Sequence, residues 1–231
     1  MKRVSIIVVV TAVGTAAAVG AADFVVEPAA TAAGGCAPAK DATIELMWDN
    51  GTRRWSIAWY TGAGAWVGND FDLSTISSYR HIEKVRFYSR NNWPNSVWDG
   101  FRVGIYSFSS VPGSLLWPTS GGGYFFRPSG LQGHIWVEIG ISWTCPAMAF
   151  VAAVEQYYNW PNCDPYALDT NTTFQRHSWQ YYGGSWSPLE VSSVPQWRNL
   201  MLRAVVNDST SGVSPASLGR VKALFKYEVE R

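Results

Sequence analysis

Between Ala42 and Val206 the chain is a succession of short apolar runs broken by turn residues, and several runs alternate at every second position. A period of two sends successive side chains to opposite faces of an extended backbone, whereas a helix repeats near 3.6 residues. In Phe101–Phe108, Phe101, Val103 and Ile105 share a face opposite Arg102, Gly104 and Tyr106. In Gly133–Ile141, Ile135, Val137, Ile139 and Ile141 oppose His134, Trp136 and Glu138. In Asn199–Val206, Leu200, Leu202, Ala204 and Val206 oppose Asn199, Met201 and Arg203. His81–Ser89 alternates too, with Ile82, Lys84, Arg86 and Tyr88 on one side and Glu83, Val85 and Phe87 on the other. Ala147–Val154 is apolar on both faces, which predicts a central strand covered on each side. Asp49-Asn50-Gly51, Val111-Pro112-Gly113, Gly121-Gly122-Gly123, Trp160-Pro161-Asn162 and Gly183-Gly184 punctuate these runs, and no long helical period interrupts them. The pattern predicts an all-β fold, a single antiparallel β-sandwich of jelly-roll-like layout over residues 42–207.

The flanks read differently. Lys2 and Arg3 precede an uncharged run from Val4 to Val19, and Gly20, Ala21 and Ala22 precede Asp23. This is the layout of an export signal over residues 1–22; a single membrane anchor is the competing reading of the same run. Residues 23–41 are an Ala-, Pro- and Gly-rich lead-in that carries Cys36, either a lipid-modified or a plain tail cysteine. Residues 208–231 form a Ser/Gly/Pro linker and a short basic amphipathic tail, with Leu218, Val221, Leu224 and Phe225 at helical spacing. The expectation is a secreted or cell-surface protein whose mature form has no transmembrane span. Of the 18 basic residues, removal of the signal takes two and leaves 16 against 17 acidic ones. A balance so near neutrality excludes a nucleic-acid binder with a basic footprint. In an exported chain, Cys145 and Cys163 are expected to form a disulfide, whose ~18-residue loop would contribute roughly 3 kcal/mol in the chain-entropy model.

Several segments together resemble a known kind of domain. Trp48-Asp49-Asn50-Gly51 is followed by the block Phe150–Gln156, Tyr166–Thr170, the aromatic stretch Ser178–Tyr182 and the closing Asn199–Val206. In this order they resemble an uncharacterised β-sandwich repeat of secreted bacterial proteins, found beside peptidases or carbohydrate-active modules and ahead of C-terminal sorting segments. The resemblance implies export and a binding or structural role, and it carries over no catalytic residues.

Chemistry-bearing residues are scarce. There is no G-x-S-x-G elbow, no H-E-x-x-H and no C-x-x-C, and His81, His134 and His177 lie in no recognisable context. The chain is therefore expected not to be an enzyme, and to need no cofactor and no metal. The one metal exception is the acidic stretch Asn69-Asp70-Phe71-Asp72, which could offer oxygens to a structural calcium. The enzymatic alternative is a glycan hydrolase, which needs two carboxylates roughly 5 to 10 Å apart. Glu138 with Glu155 or Asp169 are the candidates, with Asp99 behind them, and Glu138 shares its strand face with His134 and Trp136.

The excess lies in aromatic residues: 13 Trp, 11 Tyr and 10 Phe. Flat rings stack on the apolar faces of sugars, so an exported sandwich with exposed tryptophans is a natural reader of polysaccharide or another cell-surface component. Binding groups concentrate on loops, which singles out Trp93, Trp98, Trp117, Trp160 and Trp186. The competing reading is that the same five brace long loops, since large aromatics dominate packing. Trp55, Trp59, Trp143 and Trp179 are assigned to the core. A purely structural or assembly role is the remaining alternative.

Overall fold

In the computed structural model of the protein, residues 6–9, 43–53, 55–91, 100–119, 123–126, 133–169, 173, 175–189 and 199–208 are described, with 6–9, 91 and 124–126 as backbone alone. Fifteen strands and one short 3-10 turn make up these residues. In chain order they are β1 Ile6–Val9, β2 Thr43–Leu46, β3 Trp55–Trp59, β4 Ala65–Asp72, the turn Ser74–Ile76, β5 His81–Asn91, β6 Phe101–Phe108 and β7 Pro112–Trp117. There follow β8 Tyr124–Phe126, β9 Gly133–Thr144, β10 Ala149–Gln156, β11 Tyr166–Asp169, β12 Ser178–Tyr182, β13 Ser185–Pro188, β14 Asn199–Leu200 and β15 Leu202–Asn207.

The strands form two antiparallel sheets. Sheet A runs β1-β3-β11-β5-β15-β2, with β9 on the other side of β5 and β14 beside β11; sheet B runs β13-β12-β4-β10-β6-β7, with β8 on β6. The chain passes from one sheet to the other at eight connections (β3 to β4, β4 to β5, β5 to β6, β8 to β9, β9 to β10, β10 to β11, β11 to β12 and β13 to β14), an alternation like that of a jelly roll. The all-β, single-domain sandwich expected from periodicity is the observed fold.

The facing sides of the two sheets bury one apolar core. Phe71, Val103, Phe150 and Val154 come from sheet B, and Val85, Phe87, Val137, Tyr166 and Leu202 from sheet A. Phe87 meets Phe101 edge-on across the gap at 4.8 Å. β10 is central between β4 and β6, as its two apolar faces predicted. Two buried amides also fasten the sheets. Asn69 of β4 donates through Nδ2 to the carbonyls of Leu200 (2.9 Å) and Leu202 (2.7 Å), bridging the break in sheet A at Met201. Gln156 of β10 accepts from the Trp59 N–H (2.8 Å) and donates to the Trp59 carbonyl (2.7 Å).

Three expectations are corrected. Ile82 does not share a face with Lys84: β5 carries one extra residue against β15 between Ile82 and Lys84, and such a bulge shifts the alternation. Ile82 therefore joins Val85 and Phe87 in the core, and Glu83 is exposed. Asn69-Asp70-Phe71-Asp72 is not a loop but the end of strand β4. Strand alternation sends Asn69 and Phe71 into the core and Asp70 to the outer face, while Asp72 accepts from the backbone N–H of Ser74, so the oxygens do not converge.

Nor are Cys145 and Cys163 joined to each other. Both are buried thiols, and β5 measures their separation. The Cys145 N–H bonds the Arg80 carbonyl at one end of that strand, whereas Pro165, two residues past Cys163, accepts from the Arg90 N–H at the other. Ten residues of strand span roughly 33 Å, against a limit of about 7 Å between bridged Cα atoms. Of the expected export signal only residues 6–9 are described, as an edge strand on β3. The rest of residues 1–22, the lead-in with Cys36 and residues 209–231 lie outside the described residues.

Candidate functional site

The outer face of sheet B is built from every second residue of its strands. β4 contributes Trp66, Gly68 and Asp70; β10 contributes Val151, Ala153 and Glu155; β6 contributes Arg102, Gly104, Tyr106 and Phe108. β12 adds Trp179 and Tyr181, and β13 adds Trp186 opposite Tyr181. The last pair sits on a tight hairpin whose central residues, Gly183 and Gly184, have φ of 67° and 90°. Such a two-residue turn needs positive φ at both positions, which glycine supplies without strain.

The ring contacts show that this face is concave. Tyr106 and Trp186 meet edge-on with centroids 5.2 Å apart, although four strand spacings separate β6 from β13. At ~4.8 Å per spacing a flat sheet would hold the strands roughly 19 Å apart, beyond the combined reach of the two side chains. Phe108 and Trp179, three spacings apart, meet at 5.7 Å. The sheet curls so that outward side chains converge. Its floor is small: a Cβ on Gly68 would lie 2.5 Å from the Ala152 carbonyl oxygen, and one on Gly104 would lie 3.3 Å from the Trp66 ring, which crosses above it. Val151, Ala153 and Trp66 are buried beneath, while Tyr106, Phe108, Tyr181 and Trp186 are half-buried and line the opening.

One end of the concavity is polar. Arg102 Nε lies 3.4 Å from Oε2 of the buried Glu155, and its guanidinium sits over the Tyr157 ring at 5.0 Å. Burial first, then the charges of Glu155 and Tyr181, push the Tyr106 phenol well above its usual value, so it stays a neutral hydroxyl. At the flank, Asp70 gathers contacts that 107 and 109 residues of sequence hide. Its carboxylate accepts from Trp179 Nε1 at 2.6 Å and lies 2.7 Å from His177 Nδ1, and the Trp48 ring stacks on His177 at 3.7 Å. Ser178, next in sequence, turns its hydroxyl into the core onto Asn69 (2.8 Å). The pair therefore fixes the start of β12, and the Ser178 hydroxyl is turned away from the histidine.

The carboxylates of the hydrolase alternative are not brought together. Glu138 lies on the outer face of sheet A and Glu155 on the outer face of sheet B, with the whole sandwich between them and sheets stacked ~10 Å apart. Glu138 is held by Arg86 Nε (2.7 Å) and Lys84 (3.2 Å). Glu45 joins Arg86 to Arg203, and Arg203 grips Asp49 through Nη2 (2.6 Å) and Nε (3.1 Å). Both guanidiniums cover Trp136, at 5.2 and 4.4 Å. Asp169 lies beyond this ladder, buried, with Oδ2 accepting the Asn50 N–H at 2.9 Å. Asp99 is outside the described residues.

Of the three loop tryptophans among the described residues, Trp186 alone reaches the concave face. Trp117 lies on β7 against the core, and Trp160 follows β10, its N–H on the Trp59 carbonyl at 3.1 Å. Trp93 and Trp98 lie outside the described residues. The rings that sequence reasoning missed, Trp66, Tyr106, Phe108 and Tyr181, are on strands, beside Trp179, which is buried as expected but on the outer side of sheet B. Their signal was aromatic residues repeating at i and i+2 (Tyr106 and Phe108, Trp179 and Tyr181) on the face opposite the core.

No protein family and no curated protein matches the sequence. The resemblance to a secreted repeat thus gains no support at family level. A solved structure is similar in fold: the cysteine protease and lectin-like domains of a surface layer associated protein of Clostridium difficile, at TM-score 0.51 and 17% identity. The match covers 71% of this chain but 36% of that one, so this chain spans about a third of its length.

Proposed function

We propose that the protein is a non-catalytic, extracellular β-sandwich module that binds carbohydrate in the concave aromatic face of sheet B. The observation that carries this reading is the convergence of half-buried rings from β6, β12 and β13 (Tyr106, Phe108, Tyr181 and Trp186) on one curved surface. Rings offer flat apolar faces to the C–H faces of a sugar, and curvature lets several engage one chain. The Arg102–Glu155 pair and the Tyr106 hydroxyl supply the few fixed polar groups that orient a ligand in an apolar site. The lectin-like domain of the fold neighbour and the expected export signal agree with this placement at the cell surface. The separation of Glu138 from Glu155 disfavours the hydrolase alternative.

The test is retention of the full chain on insoluble polysaccharides and a glycan array, beside Trp186→Ala and Tyr181→Ala. An aromatic contact contributes about 0.5–1.5 kcal/mol beyond its area, so each variant should bind roughly 3- to 10-fold more weakly. Thermal unfolding checks that the variants remain folded. No retention of folded wild-type protein, or undiminished retention of both variants, would overturn the reading.

A further inference from the structure

A second chemistry-bearing cluster lies at the far end of β9. Between Gly140 and Trp143, which pair with Lys84 and Ile82, β9 holds Ile141 and Ser142 where β5 holds Glu83 alone. A bulge of this kind re-aims a side chain. Ile141 and Trp143 turn toward the core, so Ser142 and Thr144 point out of sheet A, beside His81, the cross-strand partner of Thr144. Ser142 has a φ of 47°, in the left-handed region that a residue with a Cβ seldom enters. Backbone strain of this sort clusters at functional positions. In this conformation the exposed Ser142 Oγ lies 3.5 Å from Nε2 of His81, and His81 Nδ1 lies 3.2 Å from Thr144 Oγ1. His81 itself is only 8% exposed. The Cys145 N–H on the Arg80 carbonyl (2.8 Å) and Arg80 Nε on the Cys145 carbonyl (3.1 Å) lock the two strand ends in register. A hydroxyl, an imidazole and a group that orients the imidazole are the parts of an activated serine, and the first contact is often looser before a substrate is bound.

We propose that Ser142 is an acyl-acceptor site, with His81 as its base, Thr144 positioning the imidazole, and an activated carboxylic ester or thioester as the donor. With the imidazole proton on Nδ1 and donated to Thr144 Oγ1, Nε2 accepts from the Ser142 hydroxyl. Oγ attacks the acyl carbon as its proton passes to Nε2. The bond to the leaving oxygen or sulfur then breaks, that atom takes the proton from Nε2, and Ser142 keeps the acyl group. One group is taken up per chain, so the step is a modification and not a turnover. The cluster lies on the opposite sheet from the aromatic concavity and does not depend on the carbohydrate reading.

The test treats the full chain with p-nitrophenyl acetate and locates the acetyl groups by peptide mass spectrometry. A positioned base contributes roughly 10²–10⁴-fold. Ser142 in the folded chain should therefore be acetylated at least about 100-fold faster than in the urea-unfolded chain, a comparison that needs no variant. Ser142→Gly should remain folded in thermal unfolding, because glycine suits the left-handed position, and should lose this adduct. Thr144→Val should slow acetylation roughly tenfold, and Thr144→Ser, which restores the hydroxyl, should return it to the wild-type rate. No acetyl group on Ser142, equal rates in the folded and unfolded chains, or a Thr144→Val rate equal to wild type would overturn the proposal.

Discussion

Asn69 offers the sharpest test of how the two sheets are held. It is fully buried, and it makes three side-chain bonds: Nδ2 to the carbonyls of Leu200 and Leu202, and Oδ1 from the Ser178 hydroxyl, which itself accepts the Leu200 N–H at 2.9 Å. Asn69→Leu keeps the volume and removes all three. Each buried partner left unmatched costs about 1–3 kcal/mol. Burial of the added apolar side chain returns roughly 1.5–3 kcal/mol. The expected net loss is about 2–5 kcal/mol. Asn69→Asp retains the acceptor but sets a carboxylate against two carbonyl oxygens. Its folded-state pKa must then rise above the unfolded value, so its deficit relative to wild type should be larger at pH 7 than at pH 4. Urea unfolding followed by tryptophan fluorescence measures both, provided the slope m is unchanged so that a shifted midpoint reports stability. A loss below about 1 kcal/mol for Asn69→Leu, or a pH-independent deficit for Asn69→Asp, would refute the assignment of Asn69 as the polar tie between the sheets.

Glycine replacements should separate a backbone collision from a side-chain one. Gly68→Ala meets the Ala152 carbonyl oxygen at 2.5 Å and should cost about 1–3 kcal/mol. Gly104→Ala meets movable side chains and should cost less, and Gly140→Ala, with nothing within 4 Å, should be nearly neutral in the same urea assay. His134 is held down to about 4 by burial and by the charges of Arg53 and Arg90. The unfolded chain protonates first, near 6.5, so its contribution to stability is full above that pH and is lost as pH falls toward 4. The loss is about 1–3 kcal/mol, and His134→Gln should flatten that limb of a stability–pH curve. In non-reducing peptide mapping, the Cys145 and Cys163 peptides should not migrate as one species. A joined species would refute the β5 ruler. Burial also pushes the Cys145 thiol upward, so it should resist alkylation until the protein unfolds.

β6, β9, β10 and β15 were legible because each keeps its alternation along the stretch that faces the core, so parity alone sorts those residues even where the pairing with a neighbouring strand slips. β5 was legible only from Val85 onward. A bulge adds a residue without altering composition, and nothing in His81-Ile82-Glu83-Lys84 marks where the alternation slips. Pairwise facts were out of reach for a different reason. Parity gives the face of a residue within its own strand, but not which of two sheets the strand joins. Parity gives Glu138 a face shared with His134 and Trp136 but does not say where Glu155 lies relative to it, and only the placing of β9 in sheet A and β10 in sheet B sends the two to opposite sides. The same gap produced the expected disulfide, since closeness in sequence across a strand means separation by the length of that strand. Asp70 with His177 is the converse, close in space through the neighbouring strands β4 and β12 that the chain visits far apart.

Curvature explains why the candidate site was sought in loops and found on strands. An outward-facing aromatic on a flat sheet stands alone in solvent, and a reader of parity assigns it no partners. Once sheet B curls, the outward rings of β4, β6, β12 and β13 close on one another and a second small core forms outside the first. What allows the curl is written at Gly68 and Gly104, which occupy outward positions at i+2 from Trp66 and at i−2 from Tyr106. Glycine is unfavourable inside a strand, so its recurrence beside aromatic residues of the same parity signals a ring lying across bare backbone. On that argument the outer face of this sheet was never a plain solvated surface, and the concavity follows from residues that composition counts only as turn formers.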